Sequence, residues 1–396
     1  IEFADGTVAN ISEFLSRTIY GTNHADVLHG GNTRDTIYAL SGFDIVYAGG
    51  NDDTAYGGNG TDWIYGEAGN DRLYGENSVD WLYGGPGQDF LDGGNSPDLL
   101  MGGPGDDTYI VDTACDVIVE QSNEGIDTVL SGTTYTLPWN VENLVLTGNR
   151  SVNGTGNGLN NILTGNGSNN DLNGGSGDDL LAGGSGRDRL SGSAGADVLI
   201  GGVQDDTLIG GSGSDAYVFS IGSGRDRIDD SSVPASLPGD TDMVQFTDVA
   251  SDGLTGIRRR GNDLELTYGS DDKITVENQF RYEWAGYGIE QIVFSDGVTW
   301  DRATIAAQAG VSTGCGWGHG WGNAWGGWGG GCDSGHWQGG QSPAPAPTRN
   351  LALIYNQVDL LVSAMAGFAP EASGWSLIQD DYRNTVVPLT VTWSHM

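Results

Sequence analysis

An apolar residue recurs every nine positions through the first part of the chain: Leu28, Ile37, Val46, Ile64, Leu73, Leu82, Leu91 and Leu100, with Ala55 as the weak member. Each stands two residues after an aspartate of the row Asp26, Asp35, Asp44, Asp53, Asp62, Asp71, Asp80, Asp89, Asp98 and Asp107. One core residue per unit predicts a three-residue strand, such as Trp63-Ile64-Tyr65, and a six-residue Gly-rich loop that ends in Asp. Gly57 to Tyr65 reads GGNGTDWIY, and Gly84 to Asp92 reads GGPGQDFLD. A strict short period makes the backbone repeat with the sequence, so such units stack on one continuous core. The aspartates must then stand in rows.

The period covers residues 21–110 and resumes over 156–218. The phased residues of the second block are Asn161, Asn170, Asp179, Asp188, Asp197, Asp206 and Asp215, and GGSGDDLLA (Gly174 to Ala182) is its cleanest copy. The two opening asparagines point to coil-shaping more than to metal binding. Residues 111–155 carry DVIVE, DTVLS and VENLVLTG, β-branched runs broken by Asn and Gly. They read as wider coils of the same stack. Over 219–309, DMVQF, DLELTY, KITVEN and IEQIVF alternate apolar and polar residues, as a half-buried sheet requires. The whole predicts an all-β chain.

The ends read differently. IVFSDGVTW (Ile292 to Trp300) echoes the opening IEFADGT (Ile1 to Thr7). Residues 1–20 are therefore expected to be the terminal strand and lead-in of an upstream domain, or a strand that completes a sheet in a neighbouring copy. Residues 310–350 are a Gly/Trp/Pro-rich linker with Trp317, Trp321, Trp325, Trp328 and Trp337. Within 351–396, LALIYNQVDLLVSAMAGF (Leu351 to Phe368) has helical spacing, Pro370 stops it, and VVPLTVTW is β-type.

Charge narrows the functional classes. Among 396 residues, 53 acids face 16 bases, for a net charge of −37, and Lys273 is the only lysine. Such a chain lacks the basic groups that displace counterions from nucleic acid or that attach to anionic membranes. No stretch approaches 18 apolar residues, so no transmembrane segment is expected. IEFADGTVAN has neither the basic nor the apolar region of a signal peptide. Cys115, Cys315 and Cys332 are an odd, sparse set; the last two either pair or stay free.

Rows of carboxylates demand a cation. At a strand-like separation of about 4.8 Å, two bare carboxylates repel by roughly 3.5 kcal/mol at an effective dielectric of 20. Aspartate oxygens and the carbonyls of Gly-rich loops are hard donors, and calcium takes six to eight of them; magnesium demands a tighter octahedron. Eight or so sites of about 0.1 mM affinity would contribute on the order of 11 kcal/mol at about 1 mM calcium, comparable to a domain's whole stability. Metal binding would then be the folding switch.

The pattern resembles the RTX, or haemolysin-type, calcium-binding repeat family, whose known signature is G-G-x-G-x-D-x-U-x. The resemblance covers 21–110 and 156–218 by motif, and 219–309 more loosely as the domain that follows such repeats. It implies a right-handed parallel β-roll with two nonapeptides per coil and multiple calcium ions between stacked loops. It also implies export by a type I secretion apparatus with a C-terminal signal, which the 351–396 tail fits, and folding in extracellular calcium. It assigns metal ligation to Asp35, Asp53, Asp62, Asp71, Asp80, Asp89, Asp98 and Asp107, and to Asp179, Asp188, Asp197, Asp206 and Asp215. Asp26 is left out because GTNHAD lacks the second Gly, and Asp44 because its unit opens Ala39-Leu40.

Other signals carry less. GVSTG (Gly310 to Gly314) matches a nucleophile elbow, but a Gly/Trp stretch follows Ser312 instead of a helix. His319 and His336 with Cys315 and Cys332 have zinc-like residue types in a flexible tract. Trp63, Tyr65, Trp81 and Tyr83 are expected to alternate between core and surface, where exposed ones could stack on sugars. No catalytic residue is assigned. The expected function is a non-enzymatic, calcium-folded structural or surface protein that assembles head-to-tail with copies of itself. The alternative is the C-terminal module of a secreted hydrolase or epimerase with its catalytic domain upstream.

Overall fold

The computed structural model describes residues 16–229, 240–281 and 288–311. It is a parallel β-solenoid in which each strand pairs with the strand one coil on. Within the repeats that coil is 18 residues: Trp63 aligns with Trp81, Leu73 with Leu91, and Leu181 with Leu199. One sheet takes alternate strands and runs unbroken from Thr18–Tyr20 to Thr299–Asp301 in 15 strands. The facing strands form a six-stranded sheet that ends at Val117–Ile118, and a nine-stranded one that starts at Tyr135–Thr136.

The nine-residue period becomes a core by simple alternation. In a strand, neighbouring side chains point to opposite faces. The residue two after each aspartate points inward, and Ile37, Val46, Ala55, Ile64, Leu73, Leu82, Leu91 and Leu100 have no exposed surface. Leu163, Leu172, Leu181, Leu190, Leu199 and Leu208 repeat this in the second block. Many strands outrun the three residues expected of them: Trp63–Ala68 and Thr207–Ser212 take in the first loop residues.

Two expectations need correction here. Residues 111–155 are not uniformly wider coils. Thr128 aligns 20 residues after Thr108, Asn143 only 15 after Thr128, and Ile162 19 after Asn143. Trp63, Tyr65, Trp81 and Tyr83 do not alternate between core and surface. All four are half-buried on the outer face and flank the inward Ile64 and Leu82. At coil spacing they stack: Tyr38, Tyr56 and Tyr74 stand 4.9 Å apart ring to ring, Tyr47 and Tyr65 5.1 Å, and Tyr65 and Tyr83 4.8 Å.

Past the second block the two sheets continue with irregular connections. Ala216–Phe219 pairs in parallel with Met243–Phe246, which pairs with Gln291–Val293. Asp272–Val276 pairs in parallel with Arg225–Ile228 and antiparallel with Asp263–Tyr268. A seven-residue helix, Arg302–Gln308, follows; Asp301 caps it by accepting the Thr304 N–H. Among the described residues no helix is long and apolar enough to cross a membrane. The strand expected at Ile1–Thr7, the Trp-rich tract with Ser312, Cys315 and Cys332, and the tail from Leu351 lie outside the described residues.

Candidate metal centre

The repeat aspartates build a ladder along each edge of the roll. The backbone N–H of each donates to Oδ1 of the aspartate 18 residues on: Asp35 to Asp53, Asp44 to Asp62, Asp53 to Asp71, and so to Asp107, at 2.6 to 2.9 Å. The second block does the same from Asn161 and Asn170 through Asp179, Asp188, Asp197, Asp206 and Asp215 at 2.7 to 2.8 Å. Oδ1 is thus a structural acceptor that ties coil to coil.

Oδ2 has a different fate. In Asp44, Asp53, Asp62, Asp71, Asp80, Asp89, Asp98, Asp107, Asp188 and Asp206 it is buried and has no hydrogen-bond partner among the described residues. Ionised oxygens sealed from water without a partner are costly enough to call for a cation. The glycines let a second oxygen approach each one. A side-chain carbon at Gly66 would stand 2.5 Å from Asp71 Oδ2 and 2.6 Å from the Gly84 carbonyl oxygen; at Gly183 the figures are 2.5 Å to Asp188 Oδ2 and 2.5 Å to the Gly201 carbonyl. A carboxylate and a carbonyl oxygen are thus brought close together against a glycine that no larger residue could replace. Gly60, at φ +127°, passes so close to the loop one coil before it that a Cβ would stand 1.6 Å from the Gly42 carbonyl oxygen. Convergent hard oxygens, half of them charged, are what calcium requires.

Burial sets the electrostatics. It pushes the carboxyls of Asp53, Asp71, Asp89 and Asp98 up to about 7, Asp62 to about 6, Asp80 to about 8 and Asp107 to about 9. The ladder hydrogen bond to Oδ1 pulls each the other way and loses to burial. Asp188 rises to about 7 and Asp206 to about 8 from the same cause. With no cation beside them these groups keep their protons to well above the usual carboxylate range, and Asp80, Asp107 and Asp206 keep theirs past neutrality.

Most sequence-assigned residues fall into this arrangement. Asp179, Asp197 and Asp215 occupy the same ladder positions and are at most 1% exposed. Asp35 differs from the expectation. Arg17 donates to its Oδ1 from the backbone N–H at 2.9 Å and to its Oδ2 from Nη2 at 3.1 Å, and the same guanidinium reaches the Gly30 carbonyl. An arginine, not an open loop, therefore meets Asp35. Asp44, left out on its Ala39-Leu40 opening, carries the same open Oδ2 as its neighbours. In Asp26, Oδ2 accepts from Thr22 N–H and Oγ1 instead. Asn161 and Asn170 turn their amides to the backbone: Asn161 Nδ2 donates to Glu142 O at 3.1 Å, and Asn170 Nδ2 to Val152 O at 2.5 Å.

The ladder also runs beyond the motif, which sequence reading missed. Asp98 donates to Asp116, Asp107 to Asp127, Asp127 to Glu142, Asp206 to Asp226, Asp215 to Asp242 and Asp242 to Glu290. The available signal was an acid standing just ahead of each β-branched run, as in DVIVE, DTVLS and DMVQF.

Comparison with known proteins agrees with this geometry. The RTX calcium-binding nonapeptide repeat (four copies) matches residues 20–55, 47–82, 56–91, 74–109, 155–190 and 182–217. The haemolysin-type calcium binding protein related domain matches residues 263–304. No curated protein matches the chain. Among solved structures, the extracellular lipase LipA from Serratia marcescens is similar at 20% identity, over 62% of this chain and 42% of that one, with a TM-score of 0.23. The chain therefore spans less than half the length of that lipase. Stacked nonapeptides, buried aspartate ladders and both family matches make this chain a calcium-binding RTX repeat protein with a haemolysin-type calcium-binding related domain after its repeats.

Proposed function

We propose that this chain is an extracellular or cell-surface structural protein that is exported unfolded through a type I secretion apparatus and folds when it meets calcium outside. The observation that carries the reading is the ladder of buried carboxylates with open Oδ2 atoms. Such a ladder is self-repelling without calcium, so the chain stays unfolded at cytosolic calcium levels and becomes stable at millimolar ones. The proposed role is non-catalytic: the buried acids are spent on the ladder, and their regular spacing serves the scaffold, not one reaction centre. A rigid solenoid with repeating faces also suits head-to-tail assembly with further copies. The proposed ligands are Asp44, Asp53, Asp62, Asp71, Asp80, Asp89, Asp98, Asp107, Asp179, Asp188, Asp197, Asp206 and Asp215.

Far-ultraviolet circular dichroism of the full chain at micromolar and then at millimolar free calcium tests the switch. β-structure should form cooperatively with calcium; a spectrum independent of calcium refutes it. Electron microscopy of the calcium-loaded protein tests assembly, and a field of monomers at all concentrations removes that part of the proposal.

A further inference from the structure

One acidic cluster reaches beyond the repeating loops. Asp107, Glu120 and Asp127 are all buried, and each brings a carboxylate oxygen to within 4.8 Å of the other two. Asp107 closes the last nonapeptide of the first block. Asp127 stands one coil on, where the coil lengthens to 20 residues, and accepts the Asp107 N–H at 2.9 Å. Glu120 replaces a glycine: Val117 and Ile118 align with Leu99 and Leu100, which puts Glu120 in register with Gly102. Where the regular loops present a glycine, this loop presents a carboxylate.

The surroundings are arranged around that change. A Cβ at Gly84 would meet Asp89 Oδ2 and the Gly102 carbonyl, but at Gly102 it would meet Asp107 Oδ2 and the Tyr109 hydroxyl. Tyr109 takes the core position of its unit and is fully buried. Its hydroxyl accepts the Gly102 N–H at 2.8 Å and donates to Glu120 Oε1. The phenol thereby fixes the rotamer of Glu120 and commits its one proton. Glu120 Oε2 and Asp107 Oδ2 remain, both buried and both without a hydrogen-bond partner among the described residues.

We propose that Asp107, Glu120 and Asp127 hold one calcium ion in a site that ends the first block's ladder and recruits two carboxylates from beyond the nonapeptides, with carboxylates from two successive coils and Tyr109 as the positioning residue. The oxygens are spread as around one ion with bonds of about 2.3–2.6 Å, and three carboxylates favour calcium over softer metals. With three charges against the single carboxylate of a regular loop, this is the tightest site of the first block. It locks the ladder where the 18-residue period gives out. The inference goes beyond the extracellular role proposed above and does not depend on it.

The test is a count of bound calcium. The full chain, wild type and Glu120→Gln, is loaded at graded free calcium and its ions counted by native mass spectrometry. Glutamine still accepts from Tyr109, so the fold should hold, and the variant should bind one ion fewer, lost from the tightest class. If Glu120→Gln does not fold at saturating calcium, the count passes to Tyr109→Phe, which keeps all three carboxylates. Removing such an orienting partner should leave the number unchanged and weaken the tightest class by about 10- to 100-fold. Wild-type number and wild-type affinity in Glu120→Gln, or in Tyr109→Phe where that stands in, overturns the proposal. A wild-type chain that binds no calcium would instead refute calcium folding as a whole.

Discussion

Removing calcium should make the roll unstable at pH 8.5 and rescue it at pH 4.5, the reverse of ordinary acid denaturation. In the ion-free roll, burial raises the ladder carboxyls well above their unfolded value of 3.8. Such groups favour the fold fully below about pH 4, and lose that contribution as pH rises through their folded values of about 6 for Asp62 to about 9 for Asp107. Ionising Asp53, moved from 3.8 to about 7, costs about 4 kcal/mol in the closed roll at about 1.4 kcal/mol per pH unit. For the seven residues from Asp53 to Asp107 the total at high pH approaches roughly 30 kcal/mol. The carboxylates lie just beneath the loops, so water entry and screening reduce this; a third of it, about 10 kcal/mol, still equals the net stability of a typical domain. The assay is thermal melting by circular dichroism in calcium-stripped buffers from pH 4.5 to 8.5. The melting temperature should fall as pH rises, and added calcium should restore it only where the aspartates can ionise. A calcium-free protein whose stability rises with pH, or ignores it, would refute the electrostatic account.

Three further outcomes follow from particular contacts. Gly60→Ala puts a Cβ against the Gly42 carbonyl at a φ of +127°, and should destabilise the calcium-loaded roll by about 2–4 kcal/mol in denaturant titrations. Tyr56→Ala removes two stacked pairs of 4.9 Å and should cost about 1–3 kcal/mol in the same titration, without changing the number of ions bound. Arg17→Ala frees the Asp35 carboxylate and should make the first coil exchange its amide hydrogens faster without calcium than with it. Equal exchange in both conditions would show that the arginine does not stand in for a cation.

The sequence was legible where its period was strict. Nine-residue spacing placed Ile64, Leu73 and Leu82 in the core and Asp62, Asp71 and Asp80 on the edges, because one conformation repeats and one residue per strand faces in. It failed where coil length changed. Asp127, Asp226 and Asp242 sit in the ladder, but their separations from the previous rung, 20, 20 and 27 residues, follow no single period, while Asp116 keeps the period and is hidden only because its loop, VDTACD, lacks the glycines. Alignment there is set by strand pairing, which only the fold reveals. The outward stacking of Trp63 and Tyr65 was likewise obscure, since aromatic residues are apolar enough to pass for core in a pattern argument. Arg17 lies before the motif begins, and nothing in its neighbours marks it as the partner of a residue 18 positions on.

The irregular rungs separate two roles that the regular loops merge. Within the repeats one aspartate accepts the backbone N–H through Oδ1 and is proposed to offer Oδ2 to the metal. Glu142 and Glu290 fill the first role: each accepts the preceding rung's N–H through Oε2, at 2.9 Å, across separations of 15 and 48 residues. A side chain one methylene longer bridges coils that no longer align at the repeat spacing. Continuity of the backbone ladder therefore needs only an acceptor of the right reach. Asn161 and Asn170 stand at the converse limit, where a neutral side chain donates to the backbone of the preceding coils and lets the second ladder begin without a charge. Calcium dependence should accordingly be graded along the roll. It should be strongest from Asp53 through the Asp107–Glu120–Asp127 cluster and from Asp179 to Asp215, and weakest in the coils between Asp127 and Asp179. Hydrogen exchange during calcium titration would then show the two blocks closing as separate units; simultaneous protection of all coils would mean that the intervening coils transmit the ordering without metal of their own.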